Sequence, residues 1–420
     1  MIGFLISVLK IVILLGFLVF IHELGHFLVA KWCKVKVKEF AIGFGPVLFS
    51  KQGKETKYQI RAIPLGGFVS MEGEEERSEE EGAFNKVSIP KRIAIVSAGG
   101  LVNIIFALIV YMGLQTATPN NVTTTVDSCT SGYSAESVGI MPGDTIKKIN
   151  GKSVKKQSDI NKIINSSNGE VVTIQIERNG EQLEYKTAPT MLEYNSTGIY
   201  LEAENSTKIQ GFDSNGNVQN QGLEIGDEII SVNGVNIENN PTELSNILQN
   251  SSNDEKLNFT VKRNNEELSI DITPIKQKKY LLGVKLKPAD KNFANNIYYA
   301  VLNTGDFAFS IVDNIKMLFT GRVSTNDLMG PVGISSVVAK TNGLQEFIYI
   351  LALISLSLGV TNLLPFPPLD GGKIVLLIIE AIRRKPLDEK YEMGIQMLGF
   401  GLMILLSVYV TFNDIHRIIW

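Results

Sequence analysis

The stretch IHELGH carries His22, Glu23 and His26 inside the most apolar part of the amino-terminal region, Ile11 to Trp32. On a helix, residues four apart project from one face, so both imidazoles can reach a single metal ion with the glutamate beside it. This spacing is typical of zinc-dependent hydrolysis, in which zinc acidifies a water molecule and the glutamate accepts its proton. Because ionisable groups within a membrane span are costly, they predict a working site.

A catalytic zinc ion has three protein ligands, so a third must come from elsewhere in the chain. Cys33 lies seven residues beyond His26, about 10 Å along the helix axis, and is expected to be a buried small hydrophobic residue instead. His416 follows the last apolar segment, on the opposite side of the membrane from HELGH. Glu380 has no local feature that directs it at a metal. None of these three is favoured as the third ligand.

Asp370 is the fourth candidate, in the stretch TNLLPFPPLDGGK. The three prolines of this stretch forbid a regular helix, and Gly371 and Gly372 permit a tight turn. Irregular backbone at membrane depth is tolerated where it lines a cavity or is buried in protein. Asp370 is therefore predicted to be the third ligand, and a simple loop that ends a helix is the alternative.

Four segments are long and apolar enough to cross a membrane, since a helical span needs about 20 residues. They are Ile11–Ala30, Ile93–Leu114, Phe347–Leu364 and Gly394–Phe412. The first is expected to be retained, because no small-residue cleavage site follows it. The sequence thus predicts a polytopic membrane protein.

Lysine and arginine residues cluster in 31–92 and 383–390, which places both loops in the cytoplasm by the positive-inside rule. Both termini and the segment 115–346 are then outside. Cys33 and Cys129 fall on opposite sides, so no disulfide between them is expected. The acidic run from Glu72 to Gly82 is expected to be a solvated loop.

The outer segment contains a repeat, GIMPGDTIKKINGKSV at 139–154 and GLEIGDEIISVNGVNI at 222–237. Each copy is followed by a helix-like stretch and an alternating strand hairpin, which indicates a small α+β module present twice. The pattern resembles bacterial PDZ domains, which bind an extended peptide at a sheet edge. A pair of spacer domains is the alternative. Residues 293–320 have the apolar spacing of an amphipathic helix, on the outer membrane surface or packed on the second module.

The motif H-E-x-x-H together with N-x-x-P-x-x-x-L-D-G, from Asn362 to Gly371, resembles the site-2 protease family of intramembrane zinc metalloproteases. The stretches IGFGP and IPLGGFV are similar to that family's membrane-associated β-loop, and the paired modules to its RseP-type branch. Gly100 departs from the family, which usually has proline there. The resemblance implies three roles: Zn²⁺ bound by His22, His26 and Asp370, water activated by Glu23, and substrate bound by Asn362, Gly66 and Gly67.

The expected fold class is a polytopic α-helical membrane protein of four transmembrane helices, with a membrane-associated β-loop and two extracytoplasmic α+β PDZ-like domains. The predicted domains are transmembrane helix 1 with HELGH (1–32), a cytoplasmic-side β-loop region of one or two hairpins (33–92), transmembrane helix 2 (93–114), the PDZ-like domains (121–190 and 195–275), the amphipathic helix (293–320), transmembrane helix 3 with the LDGG turn (347–372) and transmembrane helix 4 (394–412).

The predicted function is zinc-dependent cleavage of single-span membrane substrates, with anti-sigma factors or remnant signal peptides as the substrates that the resemblance implies. An upstream site-1 type protease is an expected partner, and no nucleic acid is. The predicted location is the cell membrane, with the active site near its cytoplasmic side. A PDZ-bearing receptor with a vestigial metal site is the alternative, although such a site would not require Glu23. A metal-ion transporter would need polar residues in several spans, and spans two and four have few.

Overall fold

The computed structural model describes residues 2–419 apart from 75, 118–120, 202–205, 214–217, 219–220, 239, 253–254, 264, 321–328 and 342. The chain divides into two compact units, of which the first joins Met1–Asn120 to Asp290–Trp420 and the second is Asn121–Ala289.

The helices follow one another along the chain as α1 (Ile2–Trp32), α2 (Ile89–Ala117), α3 (Ser134–Ser137), α4 (Gln157–Ser166), α5 (Thr242–Asn250), α6 (Phe293–Phe319), α7 (Pro331–Lys340), α8 (Leu344–Asn362), α9 (Asp370–Arg383) and α10 (Glu389–Ile419). The strands are β1 (Val37–Gln52), β2 (Lys57–Met71), β3 (Val122–Cys129), β4 (Thr145–Ile149), β5 (Lys152–Ser153), β6 (Val172–Arg178), β7 (Glu181–Thr187), β8 (Thr190–Ser196), β9 (Ile199–Leu201), β10 (Ile209–Phe212), β11 (Glu228–Val232), β12 (Val235–Asn236), β13 (Leu257–Arg263), β14 (Glu266–Ile272), β15 (Ile275–Leu281) and β16 (Val284–Pro288).

Among the described residues, four helices are long and apolar enough to cross a membrane, which confirms the four predicted apolar segments. They are α1, α2, α8 and α10, with spans of Leu5–Trp32, Ile89–Thr116, Leu344–Asn362 and Glu389–Ile415. The third ends two residues before its predicted limit, Leu364. Pro365 explains the difference, because a proline excludes the helical conformation from the residue before it.

Glycine residues allow α2 to pack closely against α1 and α8. A Cβ atom on Gly25 of α1 would lie 2.6 Å from the carbonyl oxygen of Ala98 in α2. A Cβ atom on Gly100 would lie 2.9 Å from the carbonyl oxygen of Gly359 in α8. Small residues allow such approach between apolar helices. The helix α2 continues without a break through Gly100, so the missing proline leaves the span intact.

The region between α1 and α2 forms one antiparallel two-stranded sheet that curls on itself, within the prediction of one or two hairpins. Lys57 of β2 pairs with both Glu39 and Gln52 of β1, because the strands shift register and bend back on themselves. Large apolar side chains of this β-loop are exposed, among them Phe44, Leu48, Phe49, Ile60 and Ile63. The predicted β-structure is therefore present, with an apolar surface.

The acidic run is not simply solvated, so that prediction is wrong in part. Glu74 Oε1 lies 2.7 Å from Lys373 Nζ of α9, and each side chain is 20% exposed. Arg77 donates a hydrogen bond of 2.6 Å to the carbonyl oxygen of Leu387, just before α10. These contacts tie the loop to α9 and to the start of α10.

Charged groups hold both ends of α7. The backbone N–H groups of Gly330 and Gly333 donate to Asp414 of α10, at 3.2 and 2.7 Å. Lys10 of α1 donates to the carbonyl oxygen of Thr341, just past the other end, at 2.7 Å. A carboxylate at the amino-terminal end of a helix and an ammonium group at the carboxy-terminal end both interact favourably with the helix dipole. Asp414, which is fully buried, therefore has a structural role within an apolar span.

The predicted amphipathic helix 293–320 is present as α6, which ends at Phe319. Phe307 and Ile311 of this helix pack against the apolar cluster that α2 and α8 form. Its placement on the outer membrane surface stays a prediction.

The second unit contains the repeat as two sheets with separate cores. In the first module the strand order is β16-β3-β4-β6-β7, with β5 beside β4. In the second module it is β12-β11-β13-β14. Each core takes two apolar residues from its own helix, Ile160 and Ile164 from α4 and Leu244 and Leu248 from α5. The α+β nature of both modules follows from this shared plan.

Chain that follows the second module completes the first. The strand β16 pairs antiparallel with β3, and Leu282 and Leu286 enter the first module's core. The strand β15 pairs with β8 between the two modules. The predicted limits of 121–190 for the first module therefore omit one of its strands.

The repeated aspartates of the two motifs are structural. Asp144 is fully buried and accepts hydrogen bonds of 2.7 and 2.8 Å from Arg178. Asp227 accepts bonds of the same lengths from Arg263. Burial disfavours the charge on Asp144, but the bonds from Arg178 outweigh it and hold the pKa of Asp144 below its usual value.

Candidate metal centre and active site

Three predicted ligands from two helices meet at one point in the first unit. His22 and His26 lie one turn apart on α1, with 3.2 Å between their Nε2 atoms. Each Nε2 atom is 3.5 Å from Oδ2 of Asp370, the first residue of α9. These three form the cluster with metal-binding geometry among the described residues.

The cluster fits a tetrahedral zinc ion. Nitrogen and oxygen ligands about 2.0–2.2 Å from zinc at tetrahedral angles are about 3.3–3.6 Å apart, close to the separations here. Oδ2 of Asp370 is buried and has no hydrogen-bond partner among the described residues. A buried carboxylate oxygen without a partner is costly, and a metal ion would satisfy it. The three residues therefore suit Zn²⁺ with an open fourth position.

The second nitrogen of each histidine has its own neighbour. Nδ1 of His26 is 2.8 Å from the carbonyl oxygen of Ile95, which can only accept, so Nδ1 carries the proton and Nε2 is free to bind metal. Nδ1 of His22 lies 3.3 Å from the amide nitrogen Nδ2 of Asn103 and 3.5 Å from Nδ2 of Asn362. Contacts to Nδ1 therefore set the direction of both rings.

Close backbone packing places Asp370. The two glycines after it form the first turn of α9 rather than a separate turn. A Cβ atom on Gly371 would lie 2.1 Å from the carbonyl oxygen of Leu364, and one on Gly372 would lie 2.7 Å from the nitrogen of Pro367. Glycine is needed because α9 begins against the proline-rich loop, which brings Asp370 to the histidines.

The β-loop reaches Glu23. A Cβ atom on Gly67 of β2 would lie 3.0 Å from Cγ of Glu23. Gly66 has φ +137°, which favours glycine, and a Cβ atom there would overlap the ring of Phe44. Backbone of β2 thus runs directly beside the glutamate.

Two of the rejected ligand candidates, Cys33 and Glu380, lie away from the metal centre. Cys33 is buried in an apolar cluster that includes Ala30 and Val37, as predicted. Glu380 forms a two-point pair with Arg92 of α2, at 2.7 and 3.0 Å. His416 belongs to α10, and its side chain lies outside the described part of the structure.

Sequence reasoning missed two residues of α2 that touch the centre, Gly99 and Asn103. A Cβ atom on Gly99 would lie 2.3 Å from Nε2 of His26 and 2.7 Å from Cε1 of His22. Asn103 is fully buried and approaches His22. They lie four residues apart, so they share the helix face that meets α1. That spacing was the available signal.

The comparisons with known proteins agree with this geometry. Residues 10–406 match the model of peptidase family M50. The chain is 30% identical to the regulator of sigma E protease of Haemophilus influenzae, over 99% of this chain and 100% of that protein. It is also 30% identical to the regulator of sigma-W protease RasP of Bacillus subtilis, over 98% and 99%. Other relatives bear the name zinc metalloprotease.

Among solved structures, the HtrA3 PDZ domain bound to a phage-derived ligand matches 21% of this chain and 93% of its own length. The identity is 23% and the TM-score 0.18, so the PDZ assignment of the modules stays a prediction.

The family match over most of the chain, together with a glutamate beside a ligand set that suits zinc, leads to one conclusion. The chain belongs to peptidase family M50, the site-2 protease family, and is a zinc metalloprotease.

Proposed function

We propose that this metalloprotease cleaves single-span membrane proteins within the bilayer. The observation that carries the proposal is the position of the metal centre, since His22, Glu23 and His26 all lie inside the apolar span of α1. Ionisable groups at that depth are costly and mark function. A substrate whose peptide bond lies in the membrane can reach such a site.

Glu23 is the general base in the proposed mechanism. When bound, Zn²⁺ lowers the pKa of coordinated water and polarises the scissile carbonyl group. The Glu23 carboxylate accepts the proton of the attacking water and returns it to the leaving amine. His22, His26 and Asp370 would hold the metal.

The substrate must be extended around the cleaved bond, because a transmembrane helix hides its peptide groups in internal hydrogen bonds. The backbone of β2 at Gly66 and Gly67 runs beside Glu23 and is proposed to pair with that extended segment. Asn362 is proposed to hold the substrate backbone. The exposed apolar side chains of the β-loop suit contact with the membrane.

The proposed substrates are anti-sigma factors and remnant signal peptides. Two relatives are named as regulators of sigma E and sigma-W, which supports a role in sigma-factor control. A site-1 type protease that first removes the outer domain of the substrate is the proposed partner. The receptor hypothesis is not favoured, because Glu23 and a complete ligand set are present.

The two outer modules are proposed to be PDZ-like domains that exclude substrates with folded outer domains. The unit 121–289 is compact in itself, and its ends meet, with the N–H of Ala289 bonded to the carbonyl oxygen of Asn121 at 2.9 Å. It can therefore be removed whole. Deletion of 121–275 alone would leave Leu282 and Leu286 without their core.

Replacement of 121–289 by a short flexible linker is expected to preserve zinc binding and cleavage of a fluorogenic single-span peptide. It should also allow cleavage of a substrate that keeps its folded outer domain. The measurement is the ratio of cleavage rates for full-length and trimmed substrate, by purified intact and deleted enzyme in bilayer nanodiscs. An unchanged ratio would contradict exclusion by the modules. Failure of the intact enzyme to cleave any single-span substrate would contradict the proposed function.

The proposed sidedness has the loops 31–92 and 383–390 in the cytoplasm and 121–289 outside. Cysteines are introduced at the exposed residues Glu81 and Lys162, in protein lacking Cys33 and Cys129. An impermeant thiol reagent should label intact cells at 162 only, and permeabilised cells at both positions. The reverse pattern in intact cells would invert the topology.

A further inference from the structure

His22 differs from His26 in what faces its second nitrogen. Nδ1 of His26 meets a backbone carbonyl group at 2.8 Å, whereas the side-chain atoms near Nδ1 of His22 are the amide nitrogens (Nδ2) of Asn103 and Asn362. The backbone of Gly99 also forms a hydrogen bond to His22. A histidine that binds a metal through Nε2 is neutral and carries its proton on Nδ1. Nδ1 of His22 therefore needs an acceptor, and an amide oxygen is the acceptor that either asparagine can offer.

We propose that Asn103 is a positioning residue of the metal centre, whose amide oxygen accepts the Nδ1–H of His22 and orients that ring toward zinc. The inference concerns the metal site itself and deepens the proposed function by assigning the two asparagines to different tasks. An amide oxygen and nitrogen are interchanged by a half-turn of the side chain, and hydrogen-bond partners decide between them. If the amide nitrogen of Asn103 faced His22, its N–H group and the Nδ1–H group of His22 would be two donors facing each other once Nε2 binds metal.

Burial and distance favour Asn103 over Asn362. The side chain of Asn103 is fully buried in α2. When its amide nitrogen faces His22, its amide oxygen has no hydrogen-bond partner among the described residues. The half-turn leaves the amide N–H₂ without a partner instead, so the proton on His22 decides the orientation. Ser355 of α8 donates to the backbone carbonyl of Asn103 at 3.0 Å, which fixes the residue between two helices. Asn362 is farther from Nδ1 and partly exposed at the end of α8, so its amide is left for the substrate.

The test compares Asn103→Leu, which removes the acceptor at similar volume, with Asn103→Asp, which keeps one. Asn362→Leu is the matched control, because it removes the other amide at the same ring nitrogen. The readouts are zinc affinity by chelator competition and the visible spectrum of the Co²⁺-substituted protein, neither of which requires substrate. The hydrogen-bond partners of metal-binding histidines typically contribute about 10–100-fold to metal affinity.

We expect Asn103→Leu to bind zinc about 10–100-fold more weakly with an altered cobalt spectrum, and Asn103→Asp to stay within about threefold of wild type. Asn362→Leu should keep wild-type zinc affinity while losing turnover. Asn103→Ala repeats the test without added bulk if the leucine variant fails to fold. Wild-type zinc affinity in the folded leucine or alanine variant would overturn the proposal. So would equal losses in the leucine and aspartate variants, which would indicate packing alone, or a loss confined to Asn362→Leu.

Discussion

Glu23→Gln should retain zinc at wild-type affinity and lose about 10²–10⁴-fold in turnover, the usual contribution of a positioned general base. The amide keeps the size of the carboxylate but cannot accept the proton of the attacking water. The proposed ligands His22, His26 and Asp370 are untouched, so metal affinity should not follow activity. The measurement pairs zinc titration with cleavage of a fluorogenic single-span peptide.

The control for this substitution is Glu81→Gln, which makes the same chemical change at an exposed loop residue. It should cleave the peptide at the wild-type rate. Turnover of Glu23→Gln within about tenfold of wild type would contradict the role of Glu23 as the base. Loss of zinc in the same variant would show that Glu23 acts in metal binding.

Local chemistry explains why most of the candidate metal centre was predictable from sequence. The spacing of His22 and His26 fixes both imidazoles on one helix face, and this requires no knowledge of other elements. Asp370 was predictable because prolines end the preceding span at a definite depth. The predicted turn at Gly371 and Gly372 was wrong in detail, since these glycines serve the contact between α9 and its own entry loop.

The contribution of α2 could not be predicted, because it depends on which of its faces meets α1. The sequence shows a glycine pair, but only the packed helices reveal that Gly99 faces the histidines while Gly100 faces Gly359.

The strand β16 was not predicted as part of the first module for a related reason. It pairs with β3 across the whole second module, and no local pattern specifies a partner that distant in the chain.

The repeat motif shows the limit of assigning function from recurrence. Gly139 and Asp144 recur as Gly222 and Asp227, and in both modules an arginine from a later strand binds the aspartate and the glycine carbonyl. The recurring residues therefore preserve a buried contact in each sheet. These contacts account for the recurrence by structure alone, so the motif does not by itself indicate a binding site.

Gly99→Ala should weaken zinc binding by about 10–100-fold, the range seen when the surroundings of metal ligands are disturbed. The added methyl group would lie 2.3 Å from Nε2 of His26, at the metal-binding atom itself. His26 cannot turn away without losing the 2.8 Å bond from its Nδ1 to the carbonyl oxygen of Ile95. Alanine is a better helix former than glycine by about 1 kcal/mol, so α2 itself should not be weakened.

The matched control is Gly113→Ala, the same change on the same helix at a position where a Cβ atom meets nothing within 4 Å. Zinc affinity of both variants, measured by chelator competition, separates a local clash from a general effect on α2. We expect Gly113→Ala to bind zinc like wild type and to show equal or higher thermal stability. If Gly99→Ala matched it in zinc affinity, the histidines would have to move together away from α2, and the packing of α1 on α2 would not be what shapes the metal centre.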